Sequence, residues 1–140
     1  MAGYLLDTNV LSEIIRKRPS TTVLARLRDA PQNALFTSSV SVMELRFGTV
    51  RTQGGSILWE RLRKVVLARV KIVPLDEEIA ERAGDILADL ESRGSPISIE
   101  DVMIGATALV SHLAVVTRNV KHLTRIRGLV VESWWEKIGR

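Results

Sequence analysis

Three acidic side chains stand where a hydrophobic segment meets a turn or a helix. Asp7 closes the apolar run Tyr4-Leu5-Leu6, Glu44 lies among Val42, Met43 and Leu45, and Asp101 precedes Val102-Met103-Ile104. Carboxylates beside such segments are partly desolvated, which raises their pKa unless a cation compensates. A hard divalent ion is the natural compensator, because Mg²⁺ takes oxygen ligands and keeps several waters. Two or three carboxylates at one rim would hold Mg²⁺ or Mn²⁺, which activates water and clamps a phosphate. A plainer reading fits the same residues. Asp is a favoured N-cap, Ser41-Val42-Met43-Glu44 matches the capping-box pattern, and Ser98-Ile99-Glu100-Asp101 nearly matches it with Asp in place of Glu. Taken singly, each acid leaves both readings open.

Other chemistries fail on specifics. The chain has no cysteine, which excludes thiolate metal sites, disulfides and a cysteine nucleophile. It carries no phosphate-binding loop, dinucleotide glycine fingerprint or G-x-S-x-G elbow. Asn9 stands where haloacid-dehalogenase phosphatases place a second aspartate, and a receiver domain would want paired acids where only Asp7 is found. A small-molecule phosphohydrolase therefore ranks below phosphodiester chemistry. His112 falls near a helix C-terminus, where a basic group suits the dipole, and His122 lies in a basic stretch; neither is expected to be a ligand. Arg46, Arg118 and Lys121 are candidate phosphate contacts, since Lys and Arg supply sequence-independent affinity for a nucleic-acid backbone. Surface solvation is the alternative for each. Six aromatic residues leave little room for a base-stacking platform, and Trp134 and Trp135 read as packing or interface anchors.

The elements that must place these acids alternate between strand and helix patterns. Strands are expected at Gly3–Leu6, Ala34–Thr37, Ile72–Leu75, Ala114–Thr117 and Leu129–Glu132. Helices are expected at Thr8–Lys17, Thr21–Ala30, Ser39–Val50 and Ser56–Arg69, then from the Asp76 cap to Gly94 and, after a loop at Ser95–Ile99, on to about His112. Val120–Ile126 reads as a short helical piece. Val42, Leu45 and Val50 should share one side of their helix. The basic helix Ser56–Arg69 should turn Ile57, Leu58, Leu62, Val65 and Val66 inward. Alternation of this kind implies α/β units around a mostly parallel sheet.

The 140 residues suit a single domain, 1–140, with a globular composition of 46% hydrophobic and 26% charged residues. No signal peptide is visible, and Val102–Val116 falls short of the ~20 residues that span a bilayer. A soluble cytoplasmic protein without membrane contact is expected. Net charge is +4, unevenly spread: twelve Lys/Arg against five Asp/Glu in residues 1–71, two against nine in 72–117, and six against two in 118–140. Basic flanks around an acidic middle suit a polyanion approaching a carboxylate cluster.

Four segments together resemble the PIN domain, and within it the VapC-type toxins of toxin–antitoxin pairs. They are Leu5-Leu6-Asp7-Thr8-Asn9-Val10-Leu11-Ser12-Glu13, Ser41-Val42-Met43-Glu44-Leu45-Arg46-Phe47-Gly48, Ile99-Glu100-Asp101-Val102-Met103-Ile104-Gly105-Ala106-Thr107-Ala108 and Val116-Thr117-Arg118-Asn119-Val120-Lys121-His122-Leu123. The resemblance implies a three-layer α/β/α sandwich and an Mg²⁺- or Mn²⁺-dependent ribonuclease. It places Asp7, Glu44 and Asp101 at the family's acidic positions and Asn119 at a fourth, often Asp in relatives. Thr8, Asn9 and Thr117 match polar positions that orient the site or a metal-bound water. It further implies RNA as substrate, a cognate antitoxin and a homodimer. Gly105–Ala108 and the basic helix are compatible with such contacts, and a non-catalytic RNA-binding PIN module is the alternative. A capping carboxylate can share its duties, one oxygen for the helix and one for the site.

Overall fold

Leu5 and Leu6 alternate across the first strand, β1 (Tyr4–Leu6), and that alternation sets the layers. In the computed structural model, which describes residues 3–135, Leu5 and Leu6 join different hydrophobic clusters. The next elements are helix α1 (Thr8–Ile14), helix α2 (Thr21–Asp29), strand β2 (Leu35–Ser38), helix α3 (Ser39–Val50) and helix α4 (Gly55–Arg61). Strand β3 (Lys71–Val73), helices α5 (Glu77–Ser92) and α6 (Ile99–Ser111), strand β4 (Ala114–Val116), helix α7 (Val120–Leu123) and strand β5 (Val131–Glu132) complete the order.

The five strands run β3-β2-β1-β4-β5, and every pairing is parallel. On one face Leu5 and Val115 pack with Ile79, Ile86 and Leu90 of α5 and Val102 and Ile104 of α6. On the other, Leu6 and Val116 meet Val10 and Leu11 of α1, Val23 of α2, Leu62, Val66 and Trp134. Helices cover both faces, so the architecture is an α/β/α sandwich. Strand order reverses between β1 and β4, which opens a crevice at their carboxyl ends, the place where open α/β sheets bind ligands.

Most elements fall where the patterns put them, and the departures have local causes. Asp76 caps α5 through its side chain on the Ile79 N–H at 2.9 Å, as its spacing predicts. The expected helix Ser56–Arg69 is instead α4, a π-helical turn (Leu62–Val66) and a 3₁₀ turn (Leu67–Arg69). Leu62 and Val66 are buried and Leu58 partly so, but Ile57 is 78% exposed and Val65 40%. The wider π turn resets the facing, so one inward stripe does not run the full length. Val50 is likewise exposed at the end of α3, while Leu45 is buried. Strand β3 stops at Val73 because Pro74 follows, and the last strand shortens to two residues. Gly55 is required by close approach: a Cβ there would fall 1.6 Å from the Thr49 carbonyl oxygen. Gly105–Ala108 is buried within the chain's own core, with Gly105 against Ile126, so this run serves internal packing rather than a surface contact. Among the described residues no helix is long and apolar enough to cross a membrane.

Candidate active site

The site grows from the β1–α1 junction. Leu6 must stay in the core while the chain turns into α1, so Asp7 sits at the strand end with only 4% exposure. Its backbone N–H donates to the Val116 carbonyl at 2.9 Å, which ties the turn to β4. One carboxylate oxygen, Oδ1, accepts the Thr8 N–H at 2.7 Å and caps α1. The other, Oδ2, accepts the Thr117 hydroxyl at 2.7 Å from the end of β4. Asp7 thus caps the helix with one oxygen and holds the Thr117 hydroxyl with the other.

Glu44 enters from α3. The Ser41–Glu44 capping box does not form, because α3 starts at Ser39 and Ser38 is the N-cap, accepting the Ser41 N–H at 3.0 Å. Glu44 instead accepts the Thr8 hydroxyl at 2.6 Å. Asp101 enters from the first turn of α6, where Ser98 caps the helix by accepting the Asp101 N–H at 3.1 Å. The Asp101 carboxylate also meets Asn119, whose Nδ2 donates to Oδ2 at 3.1 Å. Asn119 also donates its backbone N–H to Thr117 Oγ1 at 2.8 Å. Thr8 and Thr117 are therefore the joints through which four segments distant in sequence form one hydrogen-bonded cluster.

Its electrostatics are those of acids short of cations. Burial pushes the Asp7 carboxyl up to about 6, against the lowering hydrogen bonds from Thr117 and Thr8, and the charges of Asp101 and Glu44 raise it further. Burial also raises the Asp101 pKa and the Glu100 charge adds to it, while hydrogen bonds from Ser98 and Asn119, and any positive charge on His122, oppose the rise. Among the described residues neither Asp7 nor Glu44 forms an ion pair; His122 Nδ1, 3.8 Å from Asp101 Oδ2, is the nearest basic group in the cluster. No three Asp, Glu or His side chains among the described residues form a ready-made metal cage. The donor set still fits a hard ion that keeps waters, since uncompensated carboxylate oxygens are what Mg²⁺ or Mn²⁺ takes.

The predicted basic contacts divide. Arg118 adjoins Thr117, its backbone N–H donating to Asn9 Oδ1 at 3.1 Å, and its guanidinium lies 5.2 Å from the Trp135 ring centre. Lys121 is exposed on α7. Arg46 is not brought to the acids: two residues past Glu44 it points to roughly the opposite side of α3, over Trp59 at 5.1 Å. Trp134 is a packing anchor, as its sequence position suggests, at 1% exposure. His122 is what the sequence reading passed over. Its Nδ1 lies 2.9 Å from Asn119 Nδ2, and the three-residue spacing at a helix start is the signal that pairs them.

Comparison with known proteins adds independent findings. Residues 4–129 match the PIN domain family. The chain is 35% identical over 135 residues to Toxin FitB of Neisseria gonorrhoeae, covering 93% of this chain and 97% of that one. It is 30% identical over 137 residues to the tRNA(fMet)-specific endonuclease VapC of Salmonella typhimurium, covering 96% and 99%. The crystal structure of FitAcB from Neisseria gonorrhoeae superposes with a TM-score of 0.88 at 31% identity, over 96% of this chain and 99% of that one.

Proposed function

The chain belongs to the PIN domain family, and from that premise we propose that it is a divalent-metal-dependent ribonuclease, the toxin of a toxin–antitoxin pair. The observation that carries the reading is the cluster itself: Asp7, Glu44 and Asp101 are linked through Thr8, Thr117 and Asn119 at the β1/β4 switch point. The relatives' names support RNA as the substrate, since one is a tRNA endonuclease and another a toxin. A toxin implies an antitoxin partner, and we extend the same reading to a homodimer acting in the cytoplasm.

Asp7, Glu44 and Asp101 would hold Mg²⁺ or Mn²⁺. When bound, the ion supplies an activated water and charge to stabilise the phosphate oxygens. The protein's part is positioning. Thr117 fixes Asp7 Oδ2 and Thr8 fixes Glu44 Oε1, so these carboxylates keep one orientation in the absence of substrate. Asn119 does the same for Asp101. No protein nucleophile is needed, and the exposed Arg118 and Lys121 lie beside the rim to meet phosphates.

Cleavage of structured RNA should require Mg²⁺ or Mn²⁺, stop with chelator, and fall at least about a hundredfold in Asp101→Ala, a loss of several kcal/mol of transition-state stabilisation. Cleavage indifferent to both would sink the metal-nuclease reading, and RNA binding without any cleavage would point to a regulatory module. Salt dependence should sort the basic residues. Arg118→Ala and Lys121→Ala should each weaken RNA binding and flatten the plot of log affinity against log salt by about one contact's worth, ~0.7 for single strands. Arg46→Ala should leave that slope unchanged.

A further inference from the structure

Asn119 and His122 meet across the first turn of α7. Asn119 Nδ2 is 2.9 Å from His122 Nδ1 and 3.1 Å from Asp101 Oδ2. An amide nitrogen donates and does not accept, so the short contact to Nδ1 requires that nitrogen to be unprotonated. The two amide hydrogens then go one each to His122 and Asp101. Turning the amide over would set its oxygen against the Asp101 carboxylate, acceptor against acceptor. With Asp101 ionised, one arrangement satisfies all three groups: Asn119 donating twice, and His122 neutral with its proton on Nε2.

This geometry gives His122 work that a surface histidine lacks. At 3.8 Å its Nδ1 is too far from Asp101 for a hydrogen bond, so it acts on that carboxylate through Asn119. The Asn119 backbone N–H meanwhile donates to Thr117 Oγ1, which donates to Asp7. We propose that His122 is a positioning residue, whose Nδ1 accepts from Asn119 and thereby locks the amide onto Asp101 Oδ2. Asn119, in this arrangement, is the donor that links Asp101 to Asp7 rather than a fourth metal ligand. The inference rests on the nuclease reading for its kinetic consequence alone.

The acceptor position separates this role from the alternatives. Asn at 122 can place its Oδ1 near where Nδ1 stands, whereas Gln reaches towards the Nε2 position. His122→Asn should retain RNA cleavage within about threefold of wild type. His122→Ala and His122→Gln should lose about 10- to 100-fold in kcat with little change in KM for RNA, the range for groups that orient metal-binding side chains. Independently of activity, ¹H–¹⁵N spectra of the imidazoles at about pH 8, above the ordinary histidine pKa of about 6.5, should show His122 as the Nε2–H tautomer. His112→Gln assigns the second histidine, and Asn119→Ala should release the tautomer bias while circular dichroism shows the fold intact. An Nδ1–H tautomer in wild type, or equal activity in the Asn, Gln and Ala variants, overturns the proposal. Should wild type cleave no RNA, the nuclease reading fails and the tautomer result alone decides for or against the His122 role.

Discussion

Asp7→Asn is expected to abolish RNA cleavage while making the metal-free protein more stable above about pH 6. The two effects share one cause. Asp7 is buried with its pKa raised to about 6, burial being the largest contribution. In the unfolded chain the group returns to about 3.9. The folded state therefore favours the protonated form, and its stabilising effect is complete below the unfolded pKa. It is lost as pH rises towards and through the folded value, because the unfolded chain gives up its proton first. Two units correspond to roughly 3 kcal/mol of ionisation penalty, an upper figure for the gain on removing the charge.

Asparagine keeps an oxygen for the Thr8 N–H, but its amide must donate to a Thr117 hydroxyl that already accepts from Asn119. That rearrangement forfeits part of the gain and leaves about 1–2 kcal/mol. Thermal melts with chelator at about pH 8 should show the variant melting a few degrees above wild type. Near pH 4 the order should vanish or reverse. Added Mg²⁺ or Mn²⁺ should stabilise wild type by mass action and the variant far less. Cleavage by the variant should fall at least about a hundredfold. A variant less stable than wild type at about pH 8 without metal would show that hydrogen bonding, not charge, dominates at Asp7.

This conflict between stability and site chemistry explains why the acids were legible in sequence. A carboxylate next to Leu5-Leu6, or beside Val102-Met103-Ile104, breaks local consistency, and breaks of that kind gather at functional sites. The sheet was legible for the opposite reason. Strands such as Ala114–Val116 are buried on both faces and read as unbroken apolar runs between helical periods. The π turn at Leu62–Val66 was not, because it keeps helical composition while shifting the facing. The bounds of α3 were legible, Ser39–Val50 being both expected and observed, but the Ser41-Val42-Met43-Glu44 pattern pointed to a capping box that the Ser38 cap replaces. Arg46 shows the limit of proximity in sequence. Two residues from Glu44 is a neighbour along the chain and a stranger around a helix.

Trp134→Ala should be the most damaging single change to the fold, at about 3–5 kcal/mol, the usual cost of truncating a buried tryptophan. Against a total stability of about 5–15 kcal/mol for a domain of this kind, that removes a large fraction. Trp134 is 1% exposed, meets Tyr4 edge-on at 5.4 Å, and packs in the cluster that holds Leu6 and Val116. Its Nε1 donates to Glu132 Oε1 at 3.0 Å, the same oxygen that pairs with Arg26 at 3.1 Å. Glu132 belongs to the two-residue strand β5, and its backbone carbonyl accepts the Thr117 N–H at 3.1 Å. Such a short edge strand has little ladder of its own, so the indole below it carries much of its anchorage. Loosening β5 releases Thr117, and Thr117 is what orients Asp7 Oδ2. The alanine variant should thus lose cleavage as well as about 10–20 °C of melting temperature. Trp134→Phe keeps an apolar ring for Tyr4 and forfeits the Nε1 hydrogen bond, a cost nearer 1 kcal/mol, and should cleave almost normally. If the phenylalanine variant proved as inactive as the alanine one while staying folded, the hydrogen bond to Glu132, rather than the packed ring, would be what holds Thr117 in place.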